Sequence, residues 1–200
     1  MHPNSAFRWD NRDAQRAFAT EMSFGTVFAA TPDGPRVAHV PLIFLDDDRI
    51  GFHLARGNGL TKHLHGAEAL FAITGPDAYI SPDWSGLDDQ VPTWNYLSLE
   101  LQGPVEKMDE DALIAQVDAL SALHEGRLAP KPVWTRDKMS PGLFDKMLAG
   151  IVGFEMRVTA WRETAKLSQN KPAEPREKIA NALDANGQQA VALLMRQLTA

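Results

Sequence analysis

Between Phe24 and Ala55 three apolar runs follow one another across turns of a few residues, too short for the crossover that parallel strands require. The stretch "FGTVFAATPDGPRVAHVPLIFL" reads as two strands around a turn at Pro32-Asp33-Gly34. After an acidic, solvated turn at Asp46, Asp47 and Asp48, "RIGFHLA" adds a third. Pro41 inside the second strand predicts a sheet edge or a bulge, because proline donates nothing to the ladder. Further strands are expected in "EALFAITG", in "AYIS", in "TWNYLSLELQGPVEKM" with a kink at Gly103-Pro104, and last in "GFEMRVTAW".

Helical spacing is confined to the flanks of these runs. Asn11 caps a short helix with Ala14, Phe18 and Met22 on one face. Residues 109–124 form the clearest helix, lined by Leu113, Val117 and Leu120 and stopped by Gly126. A short helix opens at Ser140-Pro141 and runs through Phe144 and Leu148. After a loop, "KLSQNKPAEPRE", two helices are split by Asn186-Gly187, the second with Val191, Leu194, Met195 and Leu198 on its apolar face. Hairpin-connected strands with peripheral helices predict the α+β class, an antiparallel domain built on a barrel. No Gly-x-Gly-x-x-Gly turn, Walker A sequence or Gly-x-Ser-x-Gly elbow is present.

The 200 residues include no cysteine, which excludes disulfides and thiolate chemistry and fits a reducing cytoplasm. The first residues carry no apolar signal region, and no uninterrupted apolar run approaches the roughly 18 residues of a membrane span. A net charge of −6 argues against a nucleic-acid partner. His63 and His65 lie two apart, wrong for one helical face, and no His-Glu-x-x-His pattern supports zinc, so no protein-bound metal is expected.

Three stretches carry polar groups beyond what a turn needs. In "HLARGNGLTKH" the strand marked by Ile50, Phe52 and Leu54 ends near Ala55. Gly57 and Gly59 then let the backbone approach a ligand, and a helix starting near Leu60 aims its N–H groups at the same spot. Arg56 offers a fork for two phosphate oxygens and Lys62 a point charge. A glycine-rich loop with solvated cations gives the same residues. "VPTWNY" places Trp94 and Tyr96 on one strand face and Asn95 on the other; this suits a flat heteroaromatic ligand, and equally aromatic packing in a barrel core. "KLSQN" is a dense polar cluster that also fits loop capping.

Taken in order and near their spacing, "GFHLARGN", "GPDAYISPDW", "VPTWNY", "GIVGFE" and "KLSQN" resemble the PaiB-like FMN-binding proteins, a family named for a negative regulator of protease production and sporulation. The similarity runs from about Thr26 to Asn170. It implies a flavin-reductase-like split β-barrel, related to pyridoxamine-phosphate oxidases, with FMN at the interface of a homodimer. Residues 1–170 would be this FMN-binding domain and 171–200 a helical extension packed on it. The resemblance puts Arg56, Asn58 and Lys62 at the phosphate and ribityl end. It also implies that His39 and Val40 would lie along the flavin-facing strand, that Trp94 and Asn95 would face the ring from the same or the other subunit, and that Gln169 and Asn170 would close the site. Three positions depart from the family pattern: Asp77 replaces a histidine, Gly59 a proline and Ser85 a tyrosine. The expected function is that of a homodimeric FMN-binding flavoprotein, with either an NAD(P)H-linked oxidoreductase role or a stress-response or regulatory one. The alternatives are a flavin-binding transcriptional regulator without turnover, and a split barrel that binds haem through a histidine. No residue stands out as a general acid or base, so no catalytic residue is assigned.

Overall fold

The structure, a computed structural model, describes residues 2–197; Leu198, expected on the face of the last helix, and the end of the 171–200 extension lie outside the described residues. Seven strands form one sheet: β1 (Phe24–Thr31), β2 (Gly34–Phe44), β3 (Arg49–Ala55), β4 (Glu68–Ile80), β5 (Thr93–Lys107), β6 (Ile151–Arg157) and β7 (Ala160–Lys166). Their order is β4-β1-β2-β3-β6-β5-β7, with a further β4–β5 pairing. The pairings β1–β2, β1–β4, β2–β3, β3–β6 and β5–β6 are antiparallel. With the helices α1 (Arg12–Met22), α2 (Thr61–Leu64), α3 (Glu110–Gly126), α4 (Leu143–Leu148), α5 (Ala173–Ala185) and α6 (Gln189–Gln197), this is the expected α+β, antiparallel split-barrel fold. Among the described residues no helix is long and apolar enough to cross a membrane.

The chain divides into two compact units, one of residues 17–73 and 100–161, the other of 1–16, 74–99 and 162–200. In the first, strand alternation turns Val27, Ala38, Val40, Leu42, Ile50, Phe52, Leu54 and Phe154 inward, with Phe52 packed against Phe71 and Phe154 at 5.6 and 5.9 Å. The opposite face of β3 and β6 is covered by α3. Asp109 caps that helix by accepting from Ala112 N at 2.8 Å, and Leu113, Gln116 and Leu120 are its buried residues. Glycines make this approach possible: a Cβ on Gly51 would meet Gln116 and Met108, and one on Gly153 would meet Leu113. The core of the second unit gathers Leu97, Leu99, Ile179, Leu183, Val191 and Met195. Residues 171–197 thus share a unit with residues 74–99.

Several boundaries differ from the sequence reading. Pro41 lies in neither an edge strand nor a bulge: the β1 ladder ends at the Phe24–Pro41 pair and the β3 ladder begins at Leu42, so the missing N–H falls at the handover. "EALFAITG" and "AYIS" are one strand, β4. Gly103 lies within continuous β5 because a Cβ there would stand 1.8 Å from the Arg157 carbonyl oxygen. "GFEMRVTAW" spans parts of two strands. Val158 and Thr159 interrupt it, and their N–H groups turn to the carbonyls of Asp48 and Gln102 at 2.7 and 2.8 Å. The helix expected at Ser140-Pro141 starts at Leu143, after Gly142 at φ 73°. The segment "AEPRE" is the first turn of α5, which tolerates Pro175 because its N–H would lack an intrahelical partner there.

Candidate functional site

Leu54 and Phe52 anchor the end of β3 in the core, so the chain emerges at Ala55 in a fixed direction. Residues 56–60 then turn into α2, which has only four residues, so the helix expected near Leu60 to aim its N–H groups at a ligand is a single turn. The turn is held by its own side chains. Asn58 Oδ1 accepts from Leu60 N at 2.9 Å, and Thr61 Oγ1 donates to the Ala55 carbonyl at 2.8 Å. Arg56 reaches across to the α4–β6 junction. Its N–H donates to Gly150 O at 2.8 Å, Nε to Ala149 O at 2.8 Å and Nη2 to Ile151 O at 3.2 Å.

What the loop leaves unused defines its chemistry. Three of the five guanidinium N–H donors of Arg56 remain. The side-chain NH2 of Asn58 is free, and the exposed N–H groups of Gly57 and Gly59 have no partner among the described residues. Lys62 is exposed, and its ammonium also lacks a partner among those residues. Neither glycine is in the left-handed region, and a Cβ at either would meet nothing within 4 Å. The turn itself therefore does not require them; bare backbone donors beside two cations suit an anion such as a phosphate.

In the same unit His39 projects from β2 on the face opposite the core. Its Nδ1 pairs with Thr26 Oγ1 at 2.9 Å across the β1–β2 ladder. Val40 points the other way and is buried, so only its backbone is available on the strand. The outward face around His39 is apolar, with Phe24 opposite Pro41 and Phe28 opposite Val37. Phe24, Phe28 and Val37 are 53%, 38% and 48% exposed.

The other unit holds the remaining candidates. Trp94 is exposed and meets the exposed Tyr79 ring edge-on, at 6.0 Å and 77°. Tyr79 was not singled out in the sequence, because its partnership with Trp94 comes from placement on β4 and not from local spacing. Asn95 alternates inward and does not reach the surface. Its amide nitrogen donates to Ser168 Oγ at 3.1 Å, and that hydroxyl donates back to Oδ1 at 3.1 Å. Gln169 is engaged with its own backbone, accepting from Leu167 N at 2.7 Å and donating to Ala165 O. Asn170 is exposed. Within "KLSQN", then, Ser168 and Gln169 brace a loop in which Ser168 takes φ 60°. Of the departures from the family pattern, Asp77 and Gly59 are exposed, while Ser85 is buried and bonded to the Pro82 carbonyl at 2.9 Å.

Residues 1–160 match the family described as "Putative FMN-binding domain". The chain belongs to this FMN-binding family. Membership assigns FMN as its cofactor, and the unused donors of residues 56–62 fit the phosphate of that group. The family match ends ahead of Lys166–Asn170. Over 175 residues the chain is also 33% identical to "Protease synthase and sporulation protein PAI 2" of Bacillus subtilis (strain 168), covering 86% of this chain and 83% of that protein. Among solved structures it is similar to the FAD and heme binding protein from Mycobacterium smegmatis, with TM-score 0.58 and 20% identity over 79% of this chain and 72% of that one. The flavocytochrome Anf3 from Azotobacter vinelandii gives TM-score 0.56 and 16% identity over 79% and 68% of the two chains. At these identities the structural likeness speaks for the fold alone.

Proposed function

We propose that this FMN-binding protein is a cytoplasmic, homodimeric, NAD(P)H-linked oxidoreductase that holds the FMN phosphate at residues 56–62. The observation that carries the reading is the set of unused donors there: the N–H groups of Gly57 and Gly59, the Asn58 amide, the rest of the Arg56 guanidinium and Lys62. FMN, when bound, supplies the redox chemistry, and the protein supplies position and electrostatics. Arg56 acts twice, gripping the phosphate and tying the turn to residues 149–151. His39, kept in one orientation by Thr26, offers a ring N–H or lone pair along the strand that the resemblance sets against the flavin. Trp94 with Tyr79 offers an aromatic surface for stacking. Asn95, Val40 and Gln169 support the fold of these segments, and Asn170 remains available at the rim.

Homodimerisation draws support from the exposed apolar face of β1 and β2, a surface that a monomer would leave in water. A second reading, a flavin-binding regulator without turnover, follows from the resemblance to a family named for a negative regulator of protease production and sporulation. The net charge of −6 weighs against direct DNA binding in that role. An anaerobic titration separates the two. NAD(P)H bleaches the flavin band near ~450 nm if the protein is a reductase, and a spectrum that does not change supports the regulator. A Soret band in place of flavin bands supports haem.

A further inference from the structure

A cavity of about 300 Å³ lies between the start of α3, the end of α4 and the start of β6, at the small end of ordinary ligand pockets. Its apolar surface comes from Met108, Leu113 and Leu148, all buried. Around them stand two cations, Arg56 and Lys107, and three carboxylates, Asp109, Glu110 and Asp145. None of these five side chains forms an ion pair with a described residue.

The backbone holds two of the five in place. Arg56 Nε and Nη2 donate to the carbonyls of Ala149 and Ile151, residues that line the same cavity, at 2.8 and 3.2 Å. Asp109 Oδ1 accepts from Ala112 N at 2.8 Å, and Oδ2 has no partner among the described residues. A guanidinium with spare donors and a carboxylate with a spare oxygen are thus fixed at one cavity without neutralising each other. Both signs also recur around it: Lys107 stands with Asp109 and Glu110 at the β5–α3 junction, and Asp145 with Arg56 beside the α4–β6 junction. A ligand carrying one sign of charge would satisfy one set and be repelled by the other. Among the described residues no group of acids is placed to hold a metal ion.

We propose that this cavity binds a small zwitterion with an apolar side chain, an α-amino acid of the leucine or methionine type. Its carboxylate pairs with Arg56 and Lys107, its ammonium with Asp109 and Asp145, and its side chain covers Met108, Leu113 and Leu148. A zwitterion is the small ligand that meets both sets of charge at once. Arg56 serves both this cavity and the loop of residues 56–62, but the proposal does not rest on the flavin reading.

Leucine, isocaproate and isoamylamine share one branched chain and carry both charges, the carboxylate alone and the ammonium alone, so they serve as probes. Calorimetry on the full chain, with and without FMN, is expected to give leucine a Kd of about 1 mM or tighter. The two analogues should bind at least about tenfold more weakly. Asp109→Asn, which keeps the helix cap and drops the charge, weakens leucine and isoamylamine about fivefold and leaves isocaproate no weaker. Lys107→Gln does the converse, weakening leucine and isocaproate and leaving isoamylamine no weaker. Magnetisation transfer from bound leucine to the methyl groups of Met108 and Leu113 in the unaltered protein reads the same site if a variant does not fold. No leucine binding at ~10 mM, equal affinity for the three probes, variants that shift all three alike, or displacement of leucine by FMN would overturn the proposal. Leucine binding by a chain that takes up no FMN would refute the flavin reading and leave this one standing.

Discussion

Asn95 and Ser168 close a reciprocal pair in the interior, amide nitrogen to hydroxyl and hydroxyl to amide oxygen, each at 3.1 Å. The Asn95 amide nitrogen also lies 3.3 Å from Met195 Sδ, so one side chain ties β5, the loop after β7, and α6. Replacing Asn95 with alanine leaves the Ser168 hydroxyl buried and opens a small void, at a cost of about 1–3 kcal/mol. Chemical denaturation is expected to show that loss, with FMN affinity changed less than about threefold. Unchanged stability with lost FMN would instead put the Asn95 amide on the ligand.

The glycines divide into two kinds. A Cβ at position 103 would collide with the Arg157 carbonyl at 1.8 Å, backbone against backbone, whereas one at position 57 would meet open space. Gly103→Ala should therefore destabilise by about 3 kcal/mol or more. Gly57→Asp should leave the melting temperature within ~2 °C and abolish FMN binding through repulsion of the phosphate. A Gly57→Asp protein that retained FMN would show that the loop is only a turn.

The hairpins, the long helix from Asp109 and the helix break at Asn186-Gly187 were legible because local chemistry decides them: turn residues, a capping carboxylate and a stop at glycine. The strand Ala160–Lys166 was not, since "WRETAK" has no apolar run and its place comes from pairing with β5. Pro41 misled for a similar reason, because its tolerance depends on where two ladders meet. At the candidate site, Arg56 and Lys62 carry the proposed anion chemistry in their local sequence. The burial of Asn95 follows from strand alternation, but its engagement by Ser168 and Met195 requires contacts across more than seventy residues. The same holds for His53, whose buried Nδ1 and neighbour Gln116 meet only once α3 is docked on β3.

His53 gives the stability a pH dependence of known sign. Burial lowers its pKa in the folded protein, while the unfolded chain titrates near ~6.5. Between those two values the unfolded state binds more protons. The contribution is therefore complete above about pH 6.5 and falls as the pH drops toward the folded value. Denaturation curves between pH 5 and 7.5 should be flatter for His53→Gln than for the unaltered protein. Equal slopes would assign the dependence to other histidines.

The exposed Phe24, Phe28 and Val37 on the outward face of β1 and β2 predict the surface through which two copies meet. Light scattering at micromolar concentration should return twice the 22.0 kDa of one chain. Phe28→Glu should shift the protein toward the monomer, because an unpaired charge on a buried apolar face is strongly disfavoured. A monomer before any substitution would remove the shared-site model.

The central claim is that the turn after β3 exists to hold a phosphate. Titrating FMN and riboflavin, which share one ring system, into the protein and its Arg56→Ala variant tests it directly. Charge-assisted contacts of roughly 1.5–3 kcal/mol predict that FMN binds more tightly than riboflavin, and that Arg56→Ala weakens FMN by about tenfold to a hundredfold while riboflavin hardly changes. Equal affinities for the two flavins, or an equal loss for both in the variant, would contradict it.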